Sequence, residues 1–176
     1  MRFEPTRIAG LFAVRLEPAV DERGSFARLF CRDSFAAQGL ADVFVQASLS
    51  VTRRAATLRG LHFQRAPHAE VKLVRCVRGA IFDVVADLRA DSPSYLRWQG
   101  FDLAQAGDVA LYIPQGCAHG FLTRTDDCEV LYQMSTPYVA EAASGVRFDD
   151  PALGVAWPEM PRLVADRDLA WPPIRR

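Results

Sequence analysis

Residues 72–88, KLVRCVRGAIFDVVADL, set the fold class because they predict two β-strands in succession. In the second strand, Phe82, Val84, Ala86 and Leu88 would share one face, and residues 81, 83, 85 and 87 the other. This period of two is typical of a half-buried strand in an antiparallel sheet. The intervening Arg78-Gly79 predicts a tight hairpin turn between the two strands.

Further strand patterns lie on both sides of this pair, separated by short turn sequences. They cover Val43 to Val51, Leu58 to Gln64, Trp98 to Leu103, Val109 to Ile113, His119 to Thr123 and Val130 to Ser135. Many short strands at this spacing indicate a β-sandwich or barrel.

Two segments depart from the strand pattern. A short helix is predicted over Ser34 to Gln38, with Asp33 as its N-cap and Gly39 ending it. The chain from Asp150 onward contains five prolines, so we expect loops and short turns there, wrapped around the barrel.

The composition is that of one globular domain spanning residues 1–176, half hydrophobic and one quarter charged. The formal net charge is zero, which gives no single-sign field for binding nucleic acid or an anionic membrane. No apolar run approaches the roughly 20 residues of a membrane span, and the N-terminus lacks the apolar core of a signal peptide. Four scattered cysteines favour free thiols, and we therefore expect a cytoplasmic protein.

Only three histidines are present, so few side chains can act as a general base near neutral pH. His62 lies in a strand-like stretch, LRGLHFQ at residues 58–64, and His119 ends the stretch IPQGCAH at residues 113–119. Taken alone, His62 would more often be a hydrogen-bonded core histidine than a catalytic one. His119 would equally suit a buried position supporting the Pro114–Gly116 turn.

The spacing G-x6-P-x-G-x-x-H over residues 107–119 resembles the second motif of the cupin superfamily, whose members are small jelly-roll barrels. Many cupins bind a metal with this histidine and with an H-x-H motif upstream. Here the upstream region contains His62, His68 and Glu70 without H-x-H, so we expect no metal. The alternative is a metal-dependent oxygenase or isomerase that uses His62, His119 and Glu70 as ligands.

A fuller resemblance, to the dTDP-4-dehydrorhamnose 3,5-epimerase family of dTDP-sugar isomerases, extends over roughly residues 5 to 170. The similar segments are DERGSF (21–26), VQ (45–46), LRGLHFQ (58–64), KLVRC (72–76), FDV (82–84), DLRxxSP (87–93), PQGCAHGF (114–121), VLY (130–132), DDP (149–151) and WP (157–158). Each piece is weak alone, but their joint order and spacing are specific.

The resemblance implies an all-β, cupin-type antiparallel jelly-roll barrel with short peripheral helices. It also implies a cofactorless enzyme that inverts C3, C5 or both in a dTDP-linked 4-keto-6-deoxy sugar, in deoxysugar biosynthesis. The C4 ketone acidifies the protons on both carbons, so one base, one acid and one group stabilising the enolate suffice. The family forms homodimers through strands near the N-terminus, and the apolar 43–51 stretch could supply such an edge.

By the same resemblance, His62 is the base and Asp168 the carboxylate that orients it, although Asp166 lies only two residues away. Lys72 would stabilise the enolate, and Tyr132 would be the acid on the opposite face, with Tyr138 as the other candidate. Without the resemblance, Lys72 could equally be a strand-edge cation and Tyr132 an ordinary core aromatic.

The resemblance also implies substrate-binding positions. They are Arg23 and Arg59 for the diphosphate, and Phe26, Gln46, His119 and Tyr138 for the rest of the nucleotide sugar. Strict alternation would put Arg59 and His62 on opposite faces of one strand. Either a bulge at Gly60 resets the phase, or Arg59 serves a neighbouring subunit.

The sequence departs from many family members at three positions, Arg28, Ser48 and Cys117. These changes would touch the pocket and leave the base intact. A third hypothesis is a non-catalytic domain that keeps the sugar-nucleotide pocket, and the joint presence of His62, Lys72, Tyr132 and Asp168 argues against it.

Overall fold

The structure, a computed structural model, describes residues 1–174, and its regular secondary structure is almost entirely β-strand. In chain order its elements are β1 (Arg2–Pro5), β2 (Phe12–Arg15), β3 (Ala19–Asp21), β4 (Gly24–Phe26), α1 (Arg32–Ala36), β5 (Gln46–Thr52), β6 (Thr57–Gln64), β7 (Lys72–Arg78), β8 (Ala80–Asp87), β9 (Trp98–Ala104), β10 (Val109–Ile113), β11 (Cys117–Thr123), β12 (Cys128–Met134), β13 (Ala143–Gly145), β14 (Leu163–Val164) and α2 (Asp166–Leu169).

Two antiparallel sheets face each other. The first has the strand order β1-β2-β10-β7-β12-β5, and the second has the order β13-β6-β11-β8-β9. The short β14 adds to β6 in parallel, and β3 and β4 form a separate hairpin. The predicted all-β antiparallel architecture is confirmed. No helix within residues 1–174 combines the length and apolar character needed to cross a membrane.

One end of the space between the sheets is filled by an apolar core, and the other end is open. The core includes Val74 and Val130 from the first sheet and Val85 and Phe121 from the second, all fully buried. These side chains come from alternate positions of their strands, as the pleat of a strand requires. At the open end the inward-facing positions carry polar and titratable residues, among them His62, Lys72 and Tyr132.

The predicted hairpin at Arg78-Gly79 is wrong, because β7 and β8 belong to different sheets and the chain turns a corner between them. Gly79 has a φ of +73°, and a Cβ atom there would lie 2.6 Å from the Thr125 hydroxyl oxygen and 2.8 Å from the Cys128 sulfur. The corner is thus packed too tightly for a larger residue.

The prediction of a half-buried β8 is also wrong, since residues on both of its faces are buried. Val85 points into the core between the sheets, whereas Val84 and Ala86 pack under the C-terminal part of the chain. The same covering layer contains Val146, Leu153 and Trp157. A period-two pattern could not reveal this because the covering residues are more than 50 positions away in sequence.

The short helix was predicted two residues too late and with the wrong cap. Cys31 is the N-cap and makes no side-chain capping bond. Burial fixes the helix position, because the Phe35 ring is fully buried against Phe3, Phe30 and Phe44. Gly39, with a φ of +68°, follows the helix as expected.

One strand boundary and the tail add detail to the prediction. β5 begins at Gln46, so the apolar residues 43–45 precede the strand. The tail from Asp150 onward does wrap the second sheet as turns, with β14 and the four-residue α2 as its regular elements. The four cysteines are free thiols, as predicted.

A buried carboxylate holds the turn that follows β8. Asp87 is fully buried and accepts hydrogen bonds from the Arg89 guanidinium and from the hydroxyls of Ser92 and Ser94, at 2.5–2.8 Å. Burial opposes ionisation of this group, but the bonds outweigh it and lower the pKa of Asp87 to about 2. The carboxylate is therefore charged and fully paired at neutral pH.

Replacing Asp87 with Asn should destabilise the protein by about 2 kcal/mol at pH 7, the value of a pKa lowered from 3.8 to about 2. Because the folded pKa is the lower one, this stability is present above about pH 4 and is lost as pH falls towards 2. Urea unfolding from pH 7 to pH 3 measures the difference. Asp102→Asn, at an exposed position, is the control, and an equal loss in both variants would contradict the role of Asp87.

Candidate functional site

The open end of the sandwich holds a cavity of two lobes that meet at His62, Lys72 and Tyr132. The apolar lobe, about 530 Å³, is lined by Phe63, Met134, Tyr138, Ala140, Ala143 and Trp171 together with Gln46, Ser48 and Glu70. The polar lobe, about 500 Å³, is lined by Ser48, Ser50, Thr57, Arg59, His119, Arg167 and Asp168. Volumes of this size are those of small-molecule sites.

A bulge in β6 places Arg59 and His62 on the same side of the strand. Arg59 pairs with Phe121 and His62 with His119, so two residues on β6 oppose one on β11. Gly60 has a φ of +128°, and a Cβ atom there would lie 2.5 Å from the Gly120 Cα. The proposed bulge is confirmed, and Arg59 lines the cavity of its own chain.

The C-terminal segment brings a carboxylate to His62. Nε2 of His62 lies 2.6 Å from Oδ1 of Asp168, while Oδ2 accepts the Gly60 backbone N–H at 3.1 Å. Burial opposes ionisation of Asp168, but the bond and charge of His62 and the Gly60 N–H hold its pKa below the ordinary value. An ionised carboxylate only accepts, so Nε2 carries a proton, and in the neutral imidazole Nδ1 is then the nitrogen with the free lone pair. Asp166, the alternative in the sequence, is exposed.

Lys72 and Tyr132 face His62 from the opposite sheet. Lys72 begins β7 and Tyr132 lies in β12, whereas His62 lies in β6 of the second sheet. Burial, with the nearby charge of Asp83, raises the pKa of the Tyr132 phenol well above its usual value. Tyr132 is therefore a protonated hydrogen-bond donor at neutral pH.

His119 belongs to a second histidine–carboxylate pair at the floor of the polar lobe. Its Nε2 lies 2.8 Å from Oδ2 of Asp83, and both side chains are almost completely buried. The His119 ring meets the ring of Tyr132 edge to face, with centroids 5.7 Å apart. His119 is thus both buried and cavity-lining, which combines the two interpretations left open by the sequence.

The remaining predicted binding residues divide into two groups. Gln46 and Tyr138 line the apolar lobe, and Oε1 of Gln46 accepts the Tyr138 backbone N–H at 2.9 Å. Arg23 and Phe26 lie on the exposed β3–β4 hairpin and do not line either lobe of their own chain. Arg23 is ion-paired with Asp21.

The three donors considered for a metal do not converge. Nε2 of His62 is bonded to Asp168, Nε2 of His119 to Asp83, and Glu70 to the ammonium of Lys72. In the described part of the chain, no three His, Cys, Asp or Glu side chains form a metal-binding group. These residues therefore do not fit the ligand set proposed for a metal-dependent cupin.

Sequence reasoning missed Arg167, Trp171 and Asp83 and considered Glu70 only as a metal ligand. Arg167 lines both lobes, and the Trp171 ring lies edge-on to His62 with centroids 6.4 Å apart. Asp83 had a sequence signal, because it lies between Ile81 and Val85 on one strand face, where a carboxylate is out of place in an apolar core. Trp171 had no such signal, since it lies in a proline-rich tail that is distant in sequence from the strands lining the cavity.

Comparison with known proteins was made on both sequence and structure. The sequence profile of the family described as dTDP-4-dehydrorhamnose 3,5-epimerase matches residues 5–176. A protein of that name from Sinorhizobium fredii is 40% identical over 176 residues, covering 99% of this chain and 90% of the relative. One from Methanothermobacter thermautotrophicus is 41% identical over 177 residues, covering 99% of this chain and 95% of the relative.

Solved structures agree over nearly the whole chain. A crystal structure of dTDP-4-dehydrorhamnose 3,5-epimerase from Bacillus anthracis, with TDP and PPi bound, superimposes with a TM-score of 0.94 at 34% identity, covering 98% of this chain and 99% of that one. A Legionella pneumophila epimerase in complex with dTDP-4-keto-L-rhamnose gives 0.90 at 30% identity, covering 97% and 90%. The predicted cupin-type jelly roll is thereby confirmed.

Gly145→Ala should displace Trp171 from the cavity wall. A Cβ atom at residue 145 would lie 2.4 Å from the indole nitrogen of Trp171 and 2.8 Å from the Leu61 carbonyl oxygen, so the ring has to move. The measurement is the indole N–H signal of Trp171 in ¹⁵N NMR spectra, assigned with Trp171→Phe.

Gly100→Ala is the control, because its Cβ would strike the Phe82 ring on the other side of the second sheet. The Trp171 signal should shift in Gly145→Ala and stay in place in Gly100→Ala. An unmoved signal in Gly145→Ala would show that Trp171 does not depend on this close contact.

Proposed function

The chain belongs to the dTDP-4-dehydrorhamnose 3,5-epimerase family, and we propose that it inverts C3, C5 or both of a dTDP-4-keto-6-deoxyhexose in the two-lobed cavity. One observation carries this proposal. The carboxylate-bound imidazole of His62 on one sheet faces a lysine and a protonated phenol on the other. Epimerisation requires a base on one side of the sugar and an acid on the other.

In this proposal, Nδ1 of His62 removes the proton next to the ketone. Asp168 holds Nε2 in its protonated form, leaves Nδ1 as the acceptor, and stabilises the imidazolium that forms. The Asp168 bond to the Gly60 N–H fixes the carboxylate relative to the strand that carries the base. The imidazole therefore has one orientation in which to react.

Lys72 and Tyr132 complete the chemistry from the opposite sheet. The Lys72 ammonium stabilises the negative charge that develops on the ketone oxygen as the enolate forms. The Tyr132 phenol then returns a proton to the carbon from the side away from His62. Each step transfers one proton and needs no redox partner.

The diphosphate and the nucleobase of the substrate are held near the mouth of the cavity. Arg59 and Arg167 line the polar lobe, and guanidinium groups bind phosphate oxygens in pairs. Tyr138 is 57% exposed and lines the apolar lobe beside Gln46, a position suited to a nucleobase. His119 lines the polar lobe below the sugar.

A homodimer is part of the proposal. Leu49 and Val51 on the edge strand β5 are each about half exposed, and Val20 and Phe26 on the β3–β4 hairpin are more than 70% exposed. Apolar residues on a free strand edge favour pairing with another chain. The hairpin would carry Arg23 and Phe26 to the partner's cavity. Buried free thiols at Cys76, Cys117 and Cys128 suit the cytoplasm.

His62→Ala should lower turnover by about 10³-fold, within the usual range for loss of a general base. The substrate is dTDP-4-keto-6-deoxyglucose in deuterium oxide. Proton NMR follows deuterium entering C3 and C5 and identifies which carbon exchanges first.

His68→Ala is the matched control, because His68 lies in the loop after β6 and lines neither lobe. It should exchange deuterium at the parental rate. Parental exchange in His62→Ala would exclude His62 as the base, and tight dTDP binding without exchange in the parent would favour the non-catalytic binding domain.

Mixed dimers test whether Arg23 serves the partner's cavity. Arg23→Ala and His62→Ala should each be weakly active alone. Co-expressed in equal amounts, they should regain about a quarter of parental activity, because half of randomly paired dimers are hybrids with one intact site. Light scattering verifies the dimer. Hybrid dimers without recovered activity would place Arg23 in its own chain's site.

A further inference from the structure

Glu70 is a buried charge that the proposed reaction leaves without a role. Its side chain is 5% exposed, and it lines the apolar lobe two residues before Lys72. Oε1 lies 3.0 Å from the Lys72 ammonium, and Oε2 accepts the Gln64 backbone N–H at 3.2 Å. Among residues 1–174, it is the one carboxylate within 4.0 Å of Lys72.

The carboxylate is itself held rigidly. Gln64, whose N–H it accepts, is bonded through its side chain to the backbone of His68, Pro137 and Val139. Glu70 is therefore tied to the end of β6, the strand that carries His62. A residue fixed in this way can set the position of a flexible lysine side chain.

The Lys72 ammonium has two partners in the protein. It donates a hydrogen bond to the His62 backbone carbonyl at 3.0 Å, and it forms an ion pair with Glu70, whose Oε1 lies 3.0 Å from Nζ. These two contacts fix the nitrogen from two sides, and an ammonium has three N–H donors, so at least one stays available for a ligand. Lys72 lines both lobes, so this donor is available where they meet.

The sequence adds an independent observation. Lys72 is the only lysine of the chain, beside 20 arginines. A guanidinium is a rigid planar fork, whereas an ammonium is a compact charge on a flexible stem, so its position depends on the groups that contact it. The one lysine of the protein is thus the side chain with a buried carboxylate 3.0 Å from its nitrogen.

We propose that Glu70 is the positioning residue of this site, holding the Lys72 ammonium where it faces the ketone oxygen of the substrate. This inference rests on the proposed function. The carboxylate lies behind the nitrogen and the substrate oxygen in front, so the ammonium is the closer charge to the enolate. Its attraction therefore outweighs the repulsion from Glu70.

Other titratable groups surround the ammonium from neighbouring elements. The His62 imidazole, the Tyr132 phenol and the Cys117 thiol belong to β6, β12 and β11, and the polar lobe adds Arg59, His119, Arg167 and Asp168. Burial raises the pKa of Cys117 to about 12 and that of Tyr132 well above its usual value, so both are uncharged at neutral pH. Asp168 is bonded to His62, which leaves Glu70 as the described carboxylate that pairs with the ammonium.

The single lysine makes a direct test possible. Protein grown with lysine labelled with ¹³C at Cε gives one side-chain signal, whose position reports the surroundings of the Lys72 ammonium. In Glu70→Gln this signal should move away from its parental position at neutral pH, because the ammonium loses the carboxylate that lies 3.0 Å from it. Glu141→Gln, at an exposed position, should leave it unchanged.

The same variants are compared in turnover. Glu70→Gln should lower kcat by about tenfold to a hundredfold and change KM much less. Glu70→Asp, which keeps the carboxylate, should bring the lysine signal back towards its parental position. In a Lys72→Met background, Glu70→Gln should have no further effect on kcat, because Glu70 acts through Lys72.

An unmoved lysine signal in folded Glu70→Gln, or a further loss of kcat in the Lys72→Met background, would overturn the inference. The NMR measurement needs no substrate. A parent protein without epimerase activity would therefore refute the proposed function separately, while the lysine signal still tests the pairing with Glu70.

Discussion

The close approach of β6 and β11 at Gly60 and Gly120 is the constraint on which the site depends. A side chain at either position would overlap the other strand's backbone, with a Cβ atom 2.5–2.6 Å from the nearest backbone atom. The extra residue that β6 accommodates there changes which side chains face inward. Arg59 and His62 reach one cavity, and Leu58 and Leu61 each pack into a cluster on the tail side of the sheet.

The site combines this strand with a segment that follows it by about 100 residues. Asp168 bonds to both His62 and the Gly60 N–H, so the carboxylate contacts the bulge and the base at once. Lys72 bonds to the His62 carbonyl from the other sheet. The imidazole is therefore fixed by backbone geometry, by the tail and by the facing sheet, which is how a rigid site maintains reactive geometry.

The features that could be predicted from the sequence are those that depend on a local pattern or on resemblance to a known motif. Period-two strands and the turn residues gave the all-β class, and the motif around His62 gave the family. It failed where distant residues decide the outcome. Arg78-Gly79 turns between sheets because β7 finds its partners in β10 and β12, and β8 is buried on both faces because the tail covers it.

The candidate site also combines features that local motifs predict with features that depend on distant residues. His62, Lys72, Tyr132 and Asp168 could be named from motifs, and the bulge at Gly60 was anticipated because alternation alone would have separated Arg59 from His62. The ion pair of Glu70 with Lys72 and the contact of Trp171 with His62 could not be foreseen from the sequence. The distance between two side chains depends on how the whole chain folds, and no short stretch of sequence determines it. Arg23 and Phe26 lie away from the cavity of their own chain, so their assignment depends on a second subunit.

The way the tail joins the sandwich has a consequence for limited proteolysis. Met160 and Leu163 are 76% and 52% exposed, whereas Asp168, a few residues later, is buried against His62. A protease cutting between them would leave the two sheets and their apolar core intact, yet free the segment bearing Arg167, Asp168 and Trp171 to dissociate. The nicked protein would keep its secondary structure and lose the alignment of its base, so inactivation would precede unfolding.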